Sequence, residues 1–527
     1  MEPKEIVYDI CRYYLNDLTG VSPALFDKVK GYLRSRNLAG LTTCSRHFDS
    51  ACHTVEDWRS LRQVEAFFKK NSAFSDRETC AETARLSFIE AERVCSDTNL
   101  RLKPFVRRPD LLDRDLYVKV MRMRRYISNV LGDFSPFLDS LPNLVRVTPG
   151  ATANAKRKDS LPQLKMSMRT FASEGAARYV DALYRFYGFR SPRISDCPSN
   201  RVELVPKNWK TSRTIACEPE GNLPLQLAFD TYAKRRLRHF GINLSDQSAN
   251  QRAAKHGSIH NNNVTVDFSQ ASDTIAYNAV QLVFPIDWLG YLNDVRVPCY
   301  RGVFGSGTYS KFSSMGNGST FTIETLIFAA ACYAVGARKF LVYGDDVIMD
   351  KEYYEPYRQL TEFLGFSINT EKSYSDGPFR ESCGGDFFNG IDVTPKFIRS
   401  IDMRKAALCH LVNILASIAL PGGTLENFLL SFVRDRKLPL VPYQESSFSG
   451  VWITPERART KKLLTRKDPK KPYIDFMRAY VPRSVKRHFV DSRGYYLWFL
   501  MKNSQVLFSG PWEDKHDRII PTQTSSV

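Results

Sequence analysis

Between Phe340 and Met349 two short β-prone apolar runs, Phe340-Leu341-Val342-Tyr343 and Val347-Ile348-Met349, flank the polar Gly344-Asp345-Asp346. That pattern predicts a tight antiparallel hairpin. A hairpin obliges the chain to build a sheet around it. It also sets two carboxylates side by side at a tip, where each repels the other's charge and raises its pKa unless a cation neutralises the pair.

A second strand-like run, Val264-Thr265-Val266, ends in Asp267 and passes through Ser269-Gln270-Ala271-Ser272-Asp273 toward a helix expected to begin near Thr274. If this strand pairs with the hairpin, Asp267, Asp345 and Asp346 form a set of hard oxygen ligands. Such a set suits two Mg²⁺ ions about 3.5–4 Å apart, the arrangement used for in-line phosphoryl transfer. Mn²⁺ suits the same ligands. The competing expectation is an ordinary acidic turn, with Asp267 serving as an N-terminal helix cap.

Ser313-Ser314-Met315-Gly316-Asn317-Gly318-Ser319-Thr320 reads as a flexible loop feeding an apolar helix from Phe321 to Ala334. Asn317 carries both a donor and an acceptor, which suits a ribose 2′-hydroxyl. Upstream, Lys207, Lys210 and Arg213 stand within seven positions of a proline-marked extended segment, and could grip a nucleoside triphosphate. Lys234, Arg235 and Arg238 share one face of a helical stretch before Gly241 and fit a template-backbone contact or a solvated face. A helix near Tyr353–Leu364, closed by Gly365, leads to Lys372, which could protonate departing pyrophosphate or simply be solvated.

The chain has 75 Lys and Arg against 56 Asp and Glu, a net charge of +19 that favours a polyanionic partner. Its longest apolar stretches, Thr325–Ala337 and Leu411–Leu420, fall short of the ~20 residues that span a bilayer and are expected as buried helices. The charged N-terminal residues do not resemble a secretory signal, so the cytoplasm is the expected location. Eleven cysteines without a Cys-x-x-Cys pair read as reduced thiols, and Cys44 with Cys52-His53 lacks zinc-ligand spacing. Glu56 to Phe68 has helical periodicity within a helical N-terminal region. Basic segments lie at 101–125, 156–158 and 457–471, and an α+β unit with glycine-rich turns is expected between about Asn261 and Ile398. Walker A and Gly-x-Ser-x-Gly sequences are absent, which removes the commonest helicase and hydrolase readings.

The order of segments resembles the catalytic β subunit of the replicases of single-stranded RNA bacteriophages of the levivirus type. The likeness rests on Val205-Pro206-Lys207-Asn208, Asn243-Leu244-Ser245-Asp246-Gln247-Ser248, Asp267-Phe268-Ser269-Gln270-Ala271-Ser272-Asp273, Ser314-Met315-Gly316-Asn317-Gly318, Tyr343-Gly344-Asp345-Asp346 and Gly377-Pro378-Phe379-Arg380-Glu381-Ser382-Cys383-Gly384.

The resemblance implies an α+β right-hand RNA-dependent RNA polymerase: a helical region at 1–99, fingers at 100–258, an antiparallel-sheet palm at 259–400 and a thumb with a basic C-terminal region at 401–527. It implies metal binding by Asp267, Asp345 and Asp346, triphosphate binding by Lys210 and Arg213, and sugar reading at Asn317. Ser272 and Asp273 both stand near the position of a ribose-reading Asp, with the choice between them open. It further implies an RNA template and product, ribonucleoside triphosphates, the host translation elongation factors Tu and Ts, a small-subunit ribosomal protein, and action in the cytoplasm of an infected bacterium. Two alternatives keep distinct signatures. A reverse transcriptase would incorporate deoxyribonucleotides, and a non-catalytic basic RNA-binding protein would bind RNA equally well in chelator.

Overall fold

The computed structural model describes residues 2–50, 53–156, Pro162, Lys165, 169–443 and 445–454, with the backbone of three further strands, Arg466–Asp468, Lys471–Tyr480 and Asp517–Gln523. Arg157-Lys158, Cys52 and the side chains of the basic stretch at 457–471 lie outside the described residues.

The expected α+β character holds. The N-terminal helices are α1 (Pro3–Asn16), α2 (Pro23–Arg34) and α3 (Val55–Lys69). A capping box opens α3: Thr54 accepts from the Asp57 backbone N–H while the Asp57 carboxylate accepts from that of Thr54. Its apolar stripe of Leu61, Val64, Phe67 and Phe68 is buried, as the periodicity predicts. Next come the 31-residue α4 (Arg77–Arg107) and α5 (Arg114–Leu131).

Strands β1 (Ser199–Pro206) and β2 (Ser212–Cys217) form an antiparallel hairpin. They precede α6 (Asn222–His239), α7 (Ser248–His260) and β3 (Asn263–Val266). Strands β4 (Cys299–Gly302) and β5 (Gly305–Thr308) extend the hairpin into a four-stranded sheet of order β2-β1-β4-β5. The apolar run of the glycine loop becomes α8 (Thr320–Ala334), nearly all of it buried.

The central sheet consists of β3, β6 (Phe340–Tyr343) and β7 (Asp346–Asp350), ordered β3-β7-β6 and antiparallel throughout. Its register pairs Val266 with Val347 and Tyr343 with Asp346. Helix α9 (Tyr354–Phe363) ends as expected just before Gly365, whose φ of +96° suits glycine. Beyond it, β8 (Phe379–Ser382), β9 (Gly385–Phe388) and β10 (Ile391–Asp392) form a small meander.

Helices α10 (Lys405–Ala416) and α11 (Thr424–Asp435) follow. The second apolar stretch is therefore not one buried helix: α10 stops at Ala416, Ser417 Oγ folds back to donate to Ile414 O, and Leu420 is exposed. Pro421, which disfavours helical geometry in the residue before it, stands just beyond.

Two large apolar cores result. One gathers α4, α5, α6, α8 and the central sheet, through residues such as Leu102, Met123, Phe229, Phe328 and Val347. The other joins Ile6, Ile10 and Phe67 to Leu408, Leu415 and Leu429, so the N-terminal helices pack against α10 and α11. Among the described residues no helix is long and apolar enough to cross a membrane.

Candidate active site

The Gly344-Asp345 turn stands at one end of the central sheet. Gly344 has φ +63°, and a Cβ there would lie 2.3 Å from Phe321 Cε2. Glycine is required both for the bend and for the close packing of α8 beneath it. The Gly344 N–H donates to Thr325 Oγ1, fastening the tip to α8. Asp267 leaves β3 one residue beyond Val266, and the β3–β7 pairing brings it beside Asp345 and Asp346.

Asp267 caps no helix. The segment Ala271–Asp273 is a single 3₁₀ turn, the α-helix starts only at Tyr277, and Gln270 and Ala276 are the respective cap residues. The expected start near Thr274 is thus delayed, because the Thr274 N–H turns back to Gln270 O and Ala271 O. Asp267 is instead held from its flank. Its Oδ2 accepts from Asn369 Nδ2 at 3.0 Å and lies 3.3 Å from Lys372 Nζ, while its backbone N–H donates to Ser373 Oγ at 3.0 Å.

The electrostatics are those of crowded anions. Burial pushes the Asp267 carboxyl up, Lys372 draws it down and Asp345 raises it again, with a net rise. Asp345 is likewise raised by burial, against the opposing pull of Lys372, Arg213 and Lys207. Asp346 is pushed up to about 7 by burial and by the charges of Asp345, Asp267 and Glu381. Lys372 stays above the ordinary lysine value, because Asp267 and Glu381 outweigh its burial.

Among the described residues no three His, Cys, Asp or Glu side chains stand close enough to share a metal ion. The three aspartates are electrostatic neighbours that are not drawn into one ligand shell, with Asp267 turned toward Asn369 and Lys372. The donor set, three crowded carboxylates whose mutual repulsion a cation would relieve, nevertheless suits a hard divalent ion.

The cationic hairpin divides its residues. Lys207 and Arg213 lie near enough to act electrostatically on Asp345. Arg213 pairs across β1–β2 with Val205, and Lys207, one residue past the end of β1, is near enough to feel the Arg213 charge. Lys210 sits at the hairpin tip, where the Asn208 side chain accepts from its N–H, and its ammonium lies over the Trp209 ring, 5.1 Å from the centroid.

Ser272 Oγ donates to Glu324 Oε2 at 2.8 Å, and Asp273 Oδ1 accepts from Lys311 Nζ at 2.8 Å. The glycine loop is not loose. The Gly318 N–H donates to Gln226 Oε1, Asn317 Oδ1 accepts from the N–H and hydroxyl of Ser319, and Gly316 at φ +114° packs its Cα against Ala216 O. Asn317 is consequently buried, with its carbonyl engaged inside its own loop. Lys234 pairs with the buried Asp230 at 2.9 Å, and Arg238 donates to Asn243 Oδ1, so the basic face of α6 is partly committed within the protein.

Sequence reasoning missed Glu324, Asn369, Ser373 and Lys311. Of these only Glu324 left a trace, as the sole carboxylate in the apolar run that became α8. Burial and the nearby Asp345 charge push its carboxyl well above the usual range.

The chain belongs to the family described as RNA replicase, beta-chain, whose match runs over residues 15–429. It is 40% identical over 374 residues to the RNA-directed RNA polymerase subunit beta of Escherichia virus Qbeta, covering 69% of this chain and 62% of that one. To the subunit beta of Enterobacteria phage SP it is 34% identical over 445 residues, covering 80% and 74%. To the RNA-directed RNA polymerase beta chain of Escherichia phage MS2 it is 32% identical over 336 residues, covering 60% and 58%. The match thus spans less than two thirds of the Qbeta and MS2 chains. Among solved structures it is similar to an RdRp complex, with TM-score 0.41, 9% identity and coverage of 68% of this chain and 36% of that one. A further likeness is to the RNA-dependent RNA polymerase of a human picorbirnavirus, with TM-score 0.33, 14% identity and coverage of 45% and 55%.

Proposed function

We propose that the chain is an RNA-directed RNA polymerase that copies a single-stranded RNA phage genome by transferring nucleotides from ribonucleoside triphosphates to an RNA 3′-hydroxyl. The observation that carries the reading is the meeting of Asp267, Asp345 and Asp346 at one end of the central sheet, opposed by Lys372, Lys207 and Arg213. A crowded anionic centre beside a cationic hairpin suits a reaction that binds cations and a polyanion together.

In this reading the three aspartates hold two Mg²⁺ ions, or Mn²⁺ in their place. Bound there, the ions would favour the attacking alkoxide and offset the charge of the leaving pyrophosphate. Lys207 and Arg213 receive the triphosphate, with Lys210 at the outer tip of their hairpin. Lys372 offers its proton to the departing pyrophosphate. Asp273 is the better candidate for the ribose hydroxyl, because the Ser272 hydroxyl proton is given to Glu324; Asn317 then acts through its donor side.

In the right-hand arrangement residues 259–400 form the palm, 100–258 the fingers and 401–527 the thumb, with 1–99 a helical region beside them. Elongation factors Tu and Ts and a small-subunit ribosomal protein are the host partners, and the cytoplasm of the infected bacterium is the site of action.

The test is primer-independent incorporation of labelled ribonucleotides on a phage-like RNA with Mg²⁺, with and without bacterial elongation factors, comparing the wild-type chain with Asp345→Asn. Incorporation by wild type alone is expected. Equal incorporation by both would remove Asp345 from the site. Silence from both, with RNA binding intact, would favour a binding protein, and a preference for deoxyribonucleotides would favour a reverse transcriptase.

A further inference from the structure

Lys311 is a fully buried lysine, an expensive group to place inside a protein unless its charge is paired. Its Nζ lies 2.8 Å from Asp273 Oδ1 and 3.5 Å from Glu92 Oε1, and it stands 4.6 Å from the Phe88 ring centroid and 5.2 Å from that of Tyr309. Phe88, Glu92 and Cys95 project from one face of α4, at helical spacings of four and three. The same face holds the backbone on both sides of the pair. Cys95 Sγ donates to Asp273 O at 3.5 Å, and the Ser310 N–H donates to Glu92 Oε2 at 2.6 Å. Lys311 itself bridges to Ala276, and its carbonyl accepts from Arg296 Nη2.

Asp273 therefore differs from an exposed turn aspartate. One of its oxygens is bonded to a cation that has no solvent to move into, and its side chain remains about a quarter exposed on the other side. Paired carboxylates on both flanks keep the Lys311 ammonium protonated despite its burial.

We propose that Lys311 is a positioning residue for ribose selection: braced by Glu92, its ammonium fixes one oxygen of Asp273 and leaves the other to accept from the 2′-hydroxyl of the incoming nucleotide. The inference rests on the polymerase reading above. A carboxylate free to rotate would spend its acceptors on water, whereas one clamped at Oδ1 offers a single fixed acceptor, and a site built to bond a hydroxyl discriminates against a substrate that lacks it. Long helix α4 thus contributes to substrate choice without touching substrate.

The experiment compares kcat/KM for ATP and 2′-deoxyATP in the full chain, supplied with elongation factors, for wild type, Asp273→Asn, Lys311→Met, Lys311→Gln and the double variant Asp273→Asn/Lys311→Met. Thermal melting verifies that each variant is folded. Lys311→Met is expected to lower the ribo-to-deoxyribonucleotide ratio about tenfold, the range of one hydrogen bond to a charged group. The loss should fall on ATP while 2′-deoxyATP is nearly unaffected, and the double variant should lose no more than Asp273→Asn alone. A purely structural role would depress both substrates together and leave the ratio unmoved. If Asp273→Asn leaves the ratio unchanged, Asp273 does not read ribose and the underlying reading fails. If Asp273→Asn lowers the ratio but a folded Lys311→Met or Lys311→Gln does not, the positioning role is overturned.

Discussion

At the scale of single residues, charge crowding is the dominant fact. Asp346 is raised from an ordinary 3.8 to about 7, chiefly by burial and by Asp345. Because the folded value lies above the unfolded one, the folded chain holds an extra proton between those limits, and stability falls as pH rises through them. Asp346→Asn is therefore expected to melt about 1–3 °C above wild type at pH 8 in chelator, on the usual scaling of stability with chain size. The difference should fall to less than half at pH 5, vanish only below the ordinary carboxylate value of 3.8, and shrink when saturating Mg²⁺ is added; scanning calorimetry at pH 8, 5 and 3 checks this. Gly344→Ala should cost about 1–3 kcal/mol, since its Cβ would strike the Phe321 ring, and should abolish incorporation; denaturant melts and the incorporation assay report the two effects. The three aspartates were legible because alternation and turn chemistry act over a few residues. Lys311 was not, because Glu92 and Asp273 are remote in sequence, and a lysine between Ser310 and Phe312 looks like any solvated one.

Among the elements, local signals located the hairpin by its alternation and glycine turn, the helix beginning at Thr320 by its long apolar run after a glycine loop, and the helix ending before Gly365 by its glycine stop. They failed where a short-range hydrogen bond competes with helix propensity: the 3₁₀ turn at Ala271–Asp273, closed by the Thr274 N–H, and the early end of α10, where Ser417 bonds back to Ile414 ahead of Pro421. They also could not foresee caps supplied from far along the chain. The Asp17 carboxylate accepts from the backbone N–H groups of Thr424 at 2.5 Å and Leu425 at 2.8 Å, capping α11 from the end of α1. Burial pushes the Asp17 carboxyl up, but these hydrogen bonds outweigh it and hold it below the usual range. Its contribution is thus present above the unfolded carboxylate value and is lost as pH falls through the lower folded one. Asp17→Ala should destabilise the chain by about 1 kcal/mol, a typical capping loss. Urea melts at pH 7 should show the shift, and melts near pH 2 should show little of it.

For the molecule as a whole, the net charge of +19 predicts a steep salt dependence of RNA binding. Five phosphate contacts would give a log–log slope of about −3.5 for single strands, so doubling the salt should weaken binding about tenfold; filter binding across a salt series measures it, and a flat series would mean that charge does not govern the contact. The sequence revealed that a helical region precedes the α+β unit and another follows it. It held no sign that the two share a core, because complementary apolar faces carry no address. That shared core has a consequence in time. Beyond what they cover of one another, the helices ending at Lys69 find their apolar partners in Phe379, Phe388 and the residues from Ile398 onward, more than 300 residues later. At about 5–20 residues per second, the ribosome needs roughly 15–65 seconds to deliver them. Throughout that interval the first-made helices wait with part of their greasy sides uncovered, so the vulnerable period in the life of this protein falls during its own synthesis.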